Sequence, residues 1–592
     1  MKQFFKIMFA SMLGCIISFL IIFLILTGII AGIASLSDKD NVKITSNSIL
    51  HIKLDEQITD RASDNPFENL NIGNMNFKTP LGLNIILDNI RKAKTDPNIK
   101  GIYIEFSMPI AGIASLEEIR NALIDFKISK KFVISYSELY TLGTYYLASV
   151  SDKIYLNPQG YFDFRGLSVT SYFFKGTLDK LDIKTEIIRG KNNKYKSAVE
   201  PLLLEKMSEA NKEQNKVLIT SFWNHIRQGI SDARKISMDN LNNIADSLKI
   251  ESATDALKYK MVDDLFYKDQ LISELCKRTG NVQPKDLKII SIKQYSSVAD
   301  KHKKHNLSQD KIAIIYAVGE IQGGEGDQKK IGSESLSKTI REAREDKNIK
   351  AIVLRVNSPG GMVTASEVIY REIMLAKKEK PVVVSMGNLA ASGGYWISCG
   401  ADKIFANPNT ITGSIGVFGI MFNLQDFLKN KLGITSESVN TNSHSDIFTF
   451  SRPLTPFEKN YLQNGTEKIY HQFLEHVANG RHLTTAYVDS IGQGRIWTGE
   501  DALKLKLVDE IGGIDKAVKA AAQLAKMSDY RIVELPKQEN AIMQILKNLG
   551  DEGNEAFVKK NLGEKYSLYK YIESVSNWKG IQARLPYELI IE

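Results

Sequence analysis

The sequence predicts an α/β protein in which an N-terminal transmembrane helix precedes two tandem copies of one strand–helix–strand unit. Two observations lead to this fold class. An uncharged apolar stretch covers Ile7–Leu36, and several segments of the first half return about 250 residues later. Within each half, short β-branched runs alternate with amphipathic segments, which is the pattern of parallel βαβ units covered by helices.

Composition narrows the functional classes. The chain has 592 residues, 43% hydrophobic and 24% charged, the balance of a folded globular protein. A single core stops growing near ~250–300 residues, so at least two cores are expected. The net charge of +9 is mild and the chain has no long basic block, so no nucleic-acid partner is expected. Cys15, Cys276 and Cys399 form neither a disulfide framework nor a zinc motif, and we predict no metal or cofactor site.

The apolar stretch Ile7–Leu36 predicts a retained membrane anchor, because about 20 apolar residues span a bilayer. A cleavable signal peptide has an apolar region of only ~7–15 residues. Lys2 and Lys6 precede the stretch and Asp38–Asp40 follow it. The positive-inside rule therefore places the N-terminus in the cytoplasm and the rest of the chain on the outer side.

Internal matches predict a duplication. Three pairs of segments match in order: 96–102 with 346–352, 145–158 with 395–408, and 255–263 with 501–509. The first two pairs have an offset of 250 residues and the third an offset of 246. Three matches in order at nearly one offset indicate two homologous units.

We divide the chain on this basis. The parts are 1–44, the cytoplasmic N-terminus and anchor; 45–295, the first repeat; 296–310, a polar linker; 311–536, the second repeat; and 537–592, a C-terminal helical tail. In the second repeat the predicted strands are Ile312–Ile315, Ala351–Val356, Pro381–Ser385 and Lys403–Ala406, and the predicted helices Ser335–Glu345 and Thr364–Lys377. The tail shows a helical pattern at 540–549 and an apolar run at 589–591.

Two loops of the second repeat are candidates for chemistry. Ser358-Pro359-Gly360-Gly361 follows a predicted strand and opens a helix, so its N–H groups suit a developing negative charge, although such a loop is commonly only a turn. Ser392 lies among small residues where the next strand enters a helix, which exposes its hydroxyl beside the N–H of Gly393. The sequence around it is not a GxSxG elbow.

A serine nucleophile needs a base. None of the eight histidines lies in a matching segment, and the spacing of His471 and His476 suits neither one helical face nor a zinc site. A lysine can serve instead if burial lowers its pKa from the usual ~10.4. Lys196, in the first repeat, is the candidate, although by residue type alone a solvated lysine is the simpler interpretation. We interpret Cys399, seven residues after Ser392, as a small buried residue.

The motifs in combination carry a family resemblance. Residues 390–395, the Ser-Pro-Gly-Gly loop, 195–201 and 494–499 together resemble the signal peptide peptidase A family in its long, duplicated type. These are membrane-anchored bacterial serine proteases, of the protease IV type, with a Ser/Lys dyad. The resemblance covers nearly the whole chain after the anchor. It implies a crotonase/ClpP-like βαβ spiral for each repeat.

The resemblance also implies roles and surroundings. The residues concerned are Ser392 as nucleophile, Lys196 as general base, Ser414 as the residue that orients the lysine, and Gly393 with Gly360 or Gly361 as the oxyanion hole. The implied substrates are hydrophobic peptides, namely signal-peptide remnants. The implied assembly is a homotetramer, and the implied location is the bacterial cytoplasmic (inner) membrane, single-pass, with the catalytic part on the periplasmic side.

The two repeats differ where the chemistry lies. Ser392 aligns with Leu142, the Pro-Gly-Gly loop aligns with 109–111, and Lys196 falls opposite 446–448. The first unit keeps the base and the second keeps the nucleophile, which indicates one composite site where the units meet. The sequence leaves open whether both residues come from one chain or from neighbouring chains.

Two other hypotheses fit the fold class. An acyl-CoA lyase or hydratase would need an acidic pair and a CoA groove, and the exported topology disfavours it because CoA is cytosolic. A membrane-tethered scaffold with an inactive site would need neither Ser392 nor Lys196. The protease is the hypothesis that accounts for all four motifs.

Overall fold

The computed structural model describes most of the chain. The described residues are 2–36, 44–62, 80–107, 111–298, 308–327, 330–538 and 581–585. The first element, α1 (Lys2–Leu36), is a single helix, and its segment Gln3–Ile21 is long and apolar enough to cross a membrane. No other helix in the described residues meets that criterion.

The first unit is built on a parallel sheet. Its strands are β1 (Ser48–Leu54), β2 (Ile58–Thr59), β3 (Leu81–Gly82), β4 (Ile99–Phe106), β5 (Phe132–Tyr140), β6 (Lys153–Phe162), β7 (Lys184–Arg189), β8 (Asp264–Leu265) and β9 (Ile289–Ser291). Six of them form the sheet in the order β8-β6-β5-β4-β1-β9, while β2 pairs with β3. Helices cover this sheet as the βαβ pattern requires.

The helices of the first unit alternate with these strands. They are α2 (Leu83–Thr95), α3 (Ile113–Lys127), α4 (Leu142–Ala148), α5 (Lys175–Lys180), α6 (Glu200–Leu203), α7 (Glu209–Arg234), α8 (Met238–Asp246), α9 (Ala253–Lys258), α10 (Lys268–Thr279) and α11 (Ile292–Ser296). Short 3-10 turns lie at Ser197–Val199 and Pro284–Asp286.

The second unit repeats this plan. Its strands are β10 (Lys311–Val318), β11 (Glu320–Gln322), β12 (Lys330–Gly332), β13 (Ile349–Ser358), β14 (Gly360–Met362), β15 (Val382–Ala391), β16 (Lys403–Ala406), β17 (Ile411–Gly413), β18 (Phe418–Asn423), β19 (Ile496–Thr498), β20 (Glu510–Ile511) and β21 (Arg531–Leu535). Its main sheet has the order β19-β17-β15-β13-β10-β21, with β16 beside β15 and β20 beside β16. The four predicted strands are confirmed as parts of β10, β13, β15 and β16, except that Pro381 lies just before β15.

The helices of the second unit and one late strand complete the chain. They are α12 (Ser333–Glu345), α13 (Val363–Lys377), α14 (Gly393–Trp396), α15 (Gln425–Leu432), α16 (Pro456–Arg481), α17 (Thr485–Ile491), α18 (Gly499–Lys504), α19 (Ile514–Leu524) and strand β22 (Ile581–Arg584). Both predicted helices are confirmed as parts of α12 and α13. A third sheet, in the order β12-β11-β14-β22-β18-β7, contains strands of both units.

Equivalent bonds confirm the duplication. The Tyr145 hydroxyl donates to the carbonyl oxygen of Met261 at 2.8 Å, and the Tyr395 hydroxyl donates to that of Leu507 at 2.9 Å. The aligned helices α7 and α16 each have 26 residues. Each begins after an N-cap residue whose hydroxyl accepts a backbone hydrogen bond, and each ends at a residue in the left-handed conformation. The same start and stop signals therefore give the two helices the same length.

Each unit has its own large apolar core. In the first, aliphatic and aromatic side chains of β1, β4, β5 and β6 pack against those of α2, α3 and α4. In the second, the equivalent side chains of β10, β13, β15 and β16 pack against α12, α13 and α14. Two cores are what the length of the chain predicts. The unit boundaries at 45–295 and 311–536 stay predictions.

Only 537–538 and 581–585 of the C-terminal tail predicted for 537–592 lie in the described residues, so the helical tail stays a prediction. The segments that suggested its structure, 540–549 and 589–591, lie outside the described residues, as does most of the predicted linker, at 299–307. Residues 581–584 form strand β22, which pairs with β14 and β18. Non-local backbone pairing, and not a local sequence pattern, creates this strand.

A buried ion cluster joins the two units. Arg355, on β13, donates from Nε to Asp60 Oδ1 at 2.7 Å, and its Nη2 lies 2.7 Å from Glu118 Oε1. Both carboxylates belong to the first unit, and all three side chains are almost fully buried. Asn357 and Asn407 of the second unit also donate to these two carboxylates. Burial alone would lower the pKa of Arg355, but Glu118 and Asp60 raise it above its usual value.

Arg355→Met tests how much this cluster holds the units together. The substitution leaves two buried carboxylates without their cation, and breaking such a pair costs about 3–5 kcal/mol. We expect the melting temperature to fall by roughly 5–10 °C, as measured by differential scanning fluorimetry.

Arg91→Met is the matched control. Arg91 also pairs across the units, with Nη1 3.0 Å from Asp515 Oδ1, but the two side chains are 42% and 38% exposed. Exposed pairs contribute about 0–1 kcal/mol, so this change should shift the melting temperature only slightly. Equal shifts for the two variants would contradict the importance of the buried cluster.

Candidate active site

Ser392 lies at the junction between β15 and α14. Its backbone is left-handed, with φ 56° and ψ −113°, a conformation that non-glycine residues adopt only where the surroundings enforce it. The Ser392 N–H donates to the carbonyl oxygen of Gly413 at 2.8 Å, which ties this junction to β17. The sharp turn places the hydroxyl at the carboxyl end of the parallel sheet, where α/β folds carry their functional groups.

Ser414 occupies the next strand end in the sheet. It directly follows β17, and its φ of 50° is also left-handed. Its N–H donates to the carbonyl oxygen of Arg495 at 2.7 Å. The carboxyl ends of β15 and β17, which pair in parallel, therefore bring the side chains of Ser392 and Ser414 to one place.

Lys196 reaches this place from the first unit. It lies in the segment between β7 and the 3-10 turn at Ser197–Val199. Its Nζ lies 2.8 Å from Ser392 Oγ, and it donates to Ser414 Oγ at 2.9 Å and to the Ser414 carbonyl oxygen at 3.1 Å. The three polar residues that the sequence singled out thus meet within a single chain, across the boundary between the units.

The Lys196 amine is shielded from solvent. Lys196 is 1% exposed, and neither Ser392 nor Ser414 has any exposed surface, so the prediction of an exposed Ser392 hydroxyl is wrong. Burial holds the pKa of Lys196 well below its ordinary value, because desolvation disfavours the ammonium form. Within the described residues no carboxylate forms an ion pair with it, so its hydrogen-bond partners are neutral oxygens. A neutral amine beside a hydroxyl can accept a proton from it.

Glycines pack against the stem of Lys196. Gly494 has a φ of 82°, and a methyl group there would lie 2.5 Å from Cβ and 2.6 Å from Cα of Lys196. A methyl group at Gly416 would lie 3.5 Å from Cδ of Lys196. Gln214, on α7, donates to Ser197 Oγ at 2.9 Å and to the Tyr195 carbonyl oxygen at 3.1 Å. These contacts hold the lysine segment from both sides.

The two predicted oxyanion loops approach each other closely. A methyl group at Gly360, where φ is 96°, would lie 2.6 Å from the amide nitrogen of Gly393. Gly393 is the first residue of α14, a position whose N–H has no acceptor within the helix. The N–H of Gly360 donates to Ser358 Oγ at 3.2 Å, and Gly361 pairs with Ile321 of β11. The two loops therefore meet at Gly360 and Gly393, the residue that follows Ser392.

The remaining candidate side chains have structural environments. Cys399 is fully buried, and burial raises the pKa of its thiol to about 12, which agrees with its interpretation as a small core residue. His476 Nε2 lies 2.9 Å from Glu367 Oε2, far along the chain from Ser392. Within the described ranges, no group of three or more His, Cys, Asp or Glu side chains is arranged to hold a metal ion.

Three features that shape this site were not predicted from the sequence. Gly494 was part of a motif that carried the resemblance, but only the structure shows its contact with Lys196. Gln214 has no sequence signal, since it lies on an amphipathic helix among many polar residues. Strand β22 beside Gly360 was also missed, for lack of a local pattern.

Comparison with known proteins identifies the family. The model of peptidase family S49 matches the chain twice, at residues 125–282 and 374–528, which is one match in each unit. The chain belongs to peptidase family S49. A second family model, Clp protease, matches residues 303–412. Together with the βαβ topology, these matches establish two ClpP-like, crotonase-type repeats.

Curated relatives in the S49 family carry protease names. The chain is 39% identical to "Protease 4" of Salmonella typhi over 459 residues, which are 76% of this chain and 72% of that protein. It is 37% identical to "Protease 4" of Haemophilus influenzae over 75% of this chain and 73% of that protein. It is 31% identical to "Serine protease SPPA, chloroplastic" of Arabidopsis thaliana over 92% and 78%. The chain is therefore a serine-type S49 peptidase.

Gly494→Ala tests the packing around the lysine. The added methyl group meets the backbone and Cβ of Lys196, so it must displace the amine from Ser392. A displacement of about 1 Å can lower a rate about 100-fold, and we expect a loss of this order in kcat for peptide hydrolysis, measured with a fluorogenic apolar peptide.

Gly433→Ala serves as the control. Gly433 has a similar φ of 67°, but a methyl group there meets no atom within 4 Å. It carries the same backbone strain without the contact, so its kcat should stay close to that of the wild type. A similar loss in both variants would assign the effect to strain and not to Lys196.

Proposed function

We propose that this S49 peptidase is a membrane-anchored endopeptidase that uses a Ser392–Lys196 dyad to hydrolyse apolar peptides, in particular remnant signal peptides. The observation that carries the proposal is the 2.8 Å separation of Lys196 Nζ and Ser392 Oγ in a site without exposed surface. A base and a nucleophile within hydrogen-bond distance, in a chain of a serine peptidase family, are the two parts that acyl transfer needs.

Acylation begins with the neutral amine. The Ser392 hydroxyl gives its proton to the Nζ lone pair of Lys196 as Oγ attacks the peptide carbonyl carbon. The tetrahedral intermediate carries its negative charge on the former carbonyl oxygen, where the N–H groups of Gly393 and of Gly360 or Gly361 stabilise it. The ammonium of Lys196 then protonates the leaving nitrogen, and the C–N bond breaks to leave an ester on Ser392.

Deacylation uses the same groups in the same order. Lys196, neutral again, takes a proton from a water molecule as the water oxygen attacks the ester carbonyl. Collapse of the second intermediate moves this proton from Lys196 to Ser392 Oγ and releases a carboxylic acid, which ionises in solvent. Ser414 accepts from Nζ through Oγ and its carbonyl oxygen, which supports a role in aiming the amine at Ser392 in both steps.

A membrane anchor is consistent with apolar peptide substrates. The N-terminal helix suits a single-pass anchor in the bacterial inner membrane, with the N-terminus cytoplasmic and the catalytic units periplasmic. An anchored enzyme remains where apolar signal-peptide remnants are released. No part of this mechanism uses a cofactor.

Assembly as a homotetramer belongs to the same proposal. The second unit exposes several large apolar side chains near α15 and the start of α16, which is typical of surfaces that associate. They are Leu432, Ile434, Phe448, Phe450, Phe457 and Tyr461. Light scattering on the detergent-solubilised full chain tests this assembly.

A pH–rate profile tests the dyad. The base must be uncharged, and the neutral form of Lys196 predominates only above its lowered pKa. Peptidase kcat/KM should therefore be low below that pKa, where the amine is protonated, and should rise as the pH increases through it. Lys196→Ala should lower kcat by about 10²–10⁴-fold and remove this rise, and Ser392→Ala should abolish both turnover and labelling by a serine-directed covalent probe.

Lys194→Ala is the matched control, because Lys194 lies two residues from Lys196 but is exposed. It should retain both the activity and the shape of the profile. An unchanged profile in Lys196→Ala would remove this lysine from the reaction. Failure of the wild type to hydrolyse any apolar peptide would favour a scaffold.

A further inference from the structure

Strand β22 fills a gap in the third sheet. It pairs antiparallel with β14 on one side, with Gly361 opposite Ala583, and antiparallel with β18 on the other, with Phe418 opposite Gln582. Beyond β18 the sheet continues into β7 of the first unit. Without β22 this sheet would consist of two separate parts, β12-β11-β14 and β18-β7.

Two strands of this sheet, β14 beside β22 and β7 beyond β18, lead to the two halves of the candidate site. The glycine loop opens into β14, and the segment that carries Lys196 follows β7. An extended chain between β14 and β18 therefore connects the oxyanion side to the lysine side through backbone hydrogen bonds. This is the geometry in which a sheet binds a peptide by strand addition.

The backbone of β22 passes directly over the candidate oxyanion hole. A methyl group at Gly360 would lie 2.1 Å from the carbonyl oxygen of Ala583, and one at Gly393 would lie 3.0 Å from the same oxygen. The N–H of Leu585 donates to the carbonyl oxygen of Pro359 at 2.7 Å. A peptide carbonyl of this chain thus lies between the two glycines that border Ser392.

Two side chains of residues 581–585, those of Ala583 and Leu585, are buried in the surrounding protein. Leu585 is 4% exposed and packs in an apolar cluster that includes Ala391, next to the nucleophile, and Leu218 and Phe222 of α7. Ala583 is fully buried against the core of the second unit. Both units therefore line the pocket of Leu585, just as both contribute to the dyad.

We propose that residues 581–585 are an internal ligand that occupies the peptide-binding groove, and that substrates bind by replacing them as an extended strand. The replacing peptide would place a small side chain where Ala583 lies and an aliphatic one in the Leu585 pocket. The inference rests on the proposed function, and it adds where the substrate binds and how the free enzyme is restrained.

A tethered ligand restrains the enzyme by competition. A segment that belongs to the same chain can reach an effective concentration in the millimolar range, so a weak interaction is enough to keep the groove filled. The apparent affinity for a substrate equals the intrinsic affinity multiplied by the fraction of molecules in which the groove is open. Occupancy by residues 581–585 should accordingly raise KM and leave kcat nearly unchanged.

Truncation tests the competition. A chain that ends at Gly580 lacks the segment, and one that ends at Leu585 retains it and serves as the matched control. With a short fluorogenic apolar peptide, we expect the first truncation to lower KM about tenfold or more and the second to leave it unchanged. An unchanged or higher KM in a folded Gly580-terminated chain would overturn the inference.

A synthetic peptide gives a second readout. The capped pentapeptide Ile-Gln-Ala-Arg-Leu, which copies residues 581–585, should inhibit the Gly580-terminated chain competitively and the full chain more weakly. The same peptide with the change Ala583→Trp should not inhibit, because the larger side chain meets the core beneath the strand. Absence of competitive inhibition by the unmodified peptide would contradict the groove assignment.

A point variant covers the case in which truncation prevents folding. Leu585→Asp introduces a carboxylate into the apolar pocket and should release the segment, so KM should fall in the full chain as well. Val282→Asp, at a position 91% exposed, is the control and should have no effect. An unchanged KM in a folded Leu585→Asp variant opposes the inference.

These results separate the inference from the proposed function. If hydrolysis requires Ser392 and Lys196 but KM responds to neither the truncation nor Leu585→Asp, only the internal ligand is refuted. If no form of the chain hydrolyses peptides and Ser392 does not react with a serine-directed probe, both proposals fail.

Discussion

A cationic side chain that is buried away from water needs a counter-ion or loses its proton. This constraint determines the roles of two buried cationic side chains in this protein. Arg355 and Lys196 are equally buried, yet their surroundings differ. Arg355 lies between two carboxylates that keep it charged, so it serves as a structural link between the units. Among the described residues, the polar atoms that contact the Lys196 amine are hydroxyl and carbonyl oxygens, so desolvation favours its neutral form. A guanidinium suits the first role and an amine the second, because only the amine gives up its proton within reach of physiological pH.

The duplication explains why such a site can exist. A single βαβ unit offers one set of strand ends, whereas two units that meet along a shared sheet can bring a residue from each to a common point. The positions that align with the two candidate residues make structural contacts. Leu142, which aligns with Ser392, packs against the first core. Asp446, opposite Lys196 in the alignment, forms an ion pair with Arg452, its Oδ1 lying 2.7 Å from Nη2.

Much of the fold was predictable because its signals are local and repeated. Buried β-branched runs such as Ile312–Ile315 mark strands directly, and the second copy of each motif verifies the first. The meeting of Lys196 with Ser392 followed from the family resemblance and from the complementary retention in the repeats. The remaining features depend on contacts that no local pattern encodes. Ile581–Arg584 becomes a strand only through its neighbours, and the Arg355 cluster requires two carboxylates more than 230 residues away in the chain.

The separation of the dyad along the chain has a consequence for biosynthesis. Lys196 and Ser392 are 196 residues apart, and Gly494, which packs against Lys196, lies later still in the chain. Under the proposed mechanism, a growing polypeptide that has emerged only as far as the first unit carries the base without the nucleophile. Peptidase activity would then require both units to be synthesised and folded against each other.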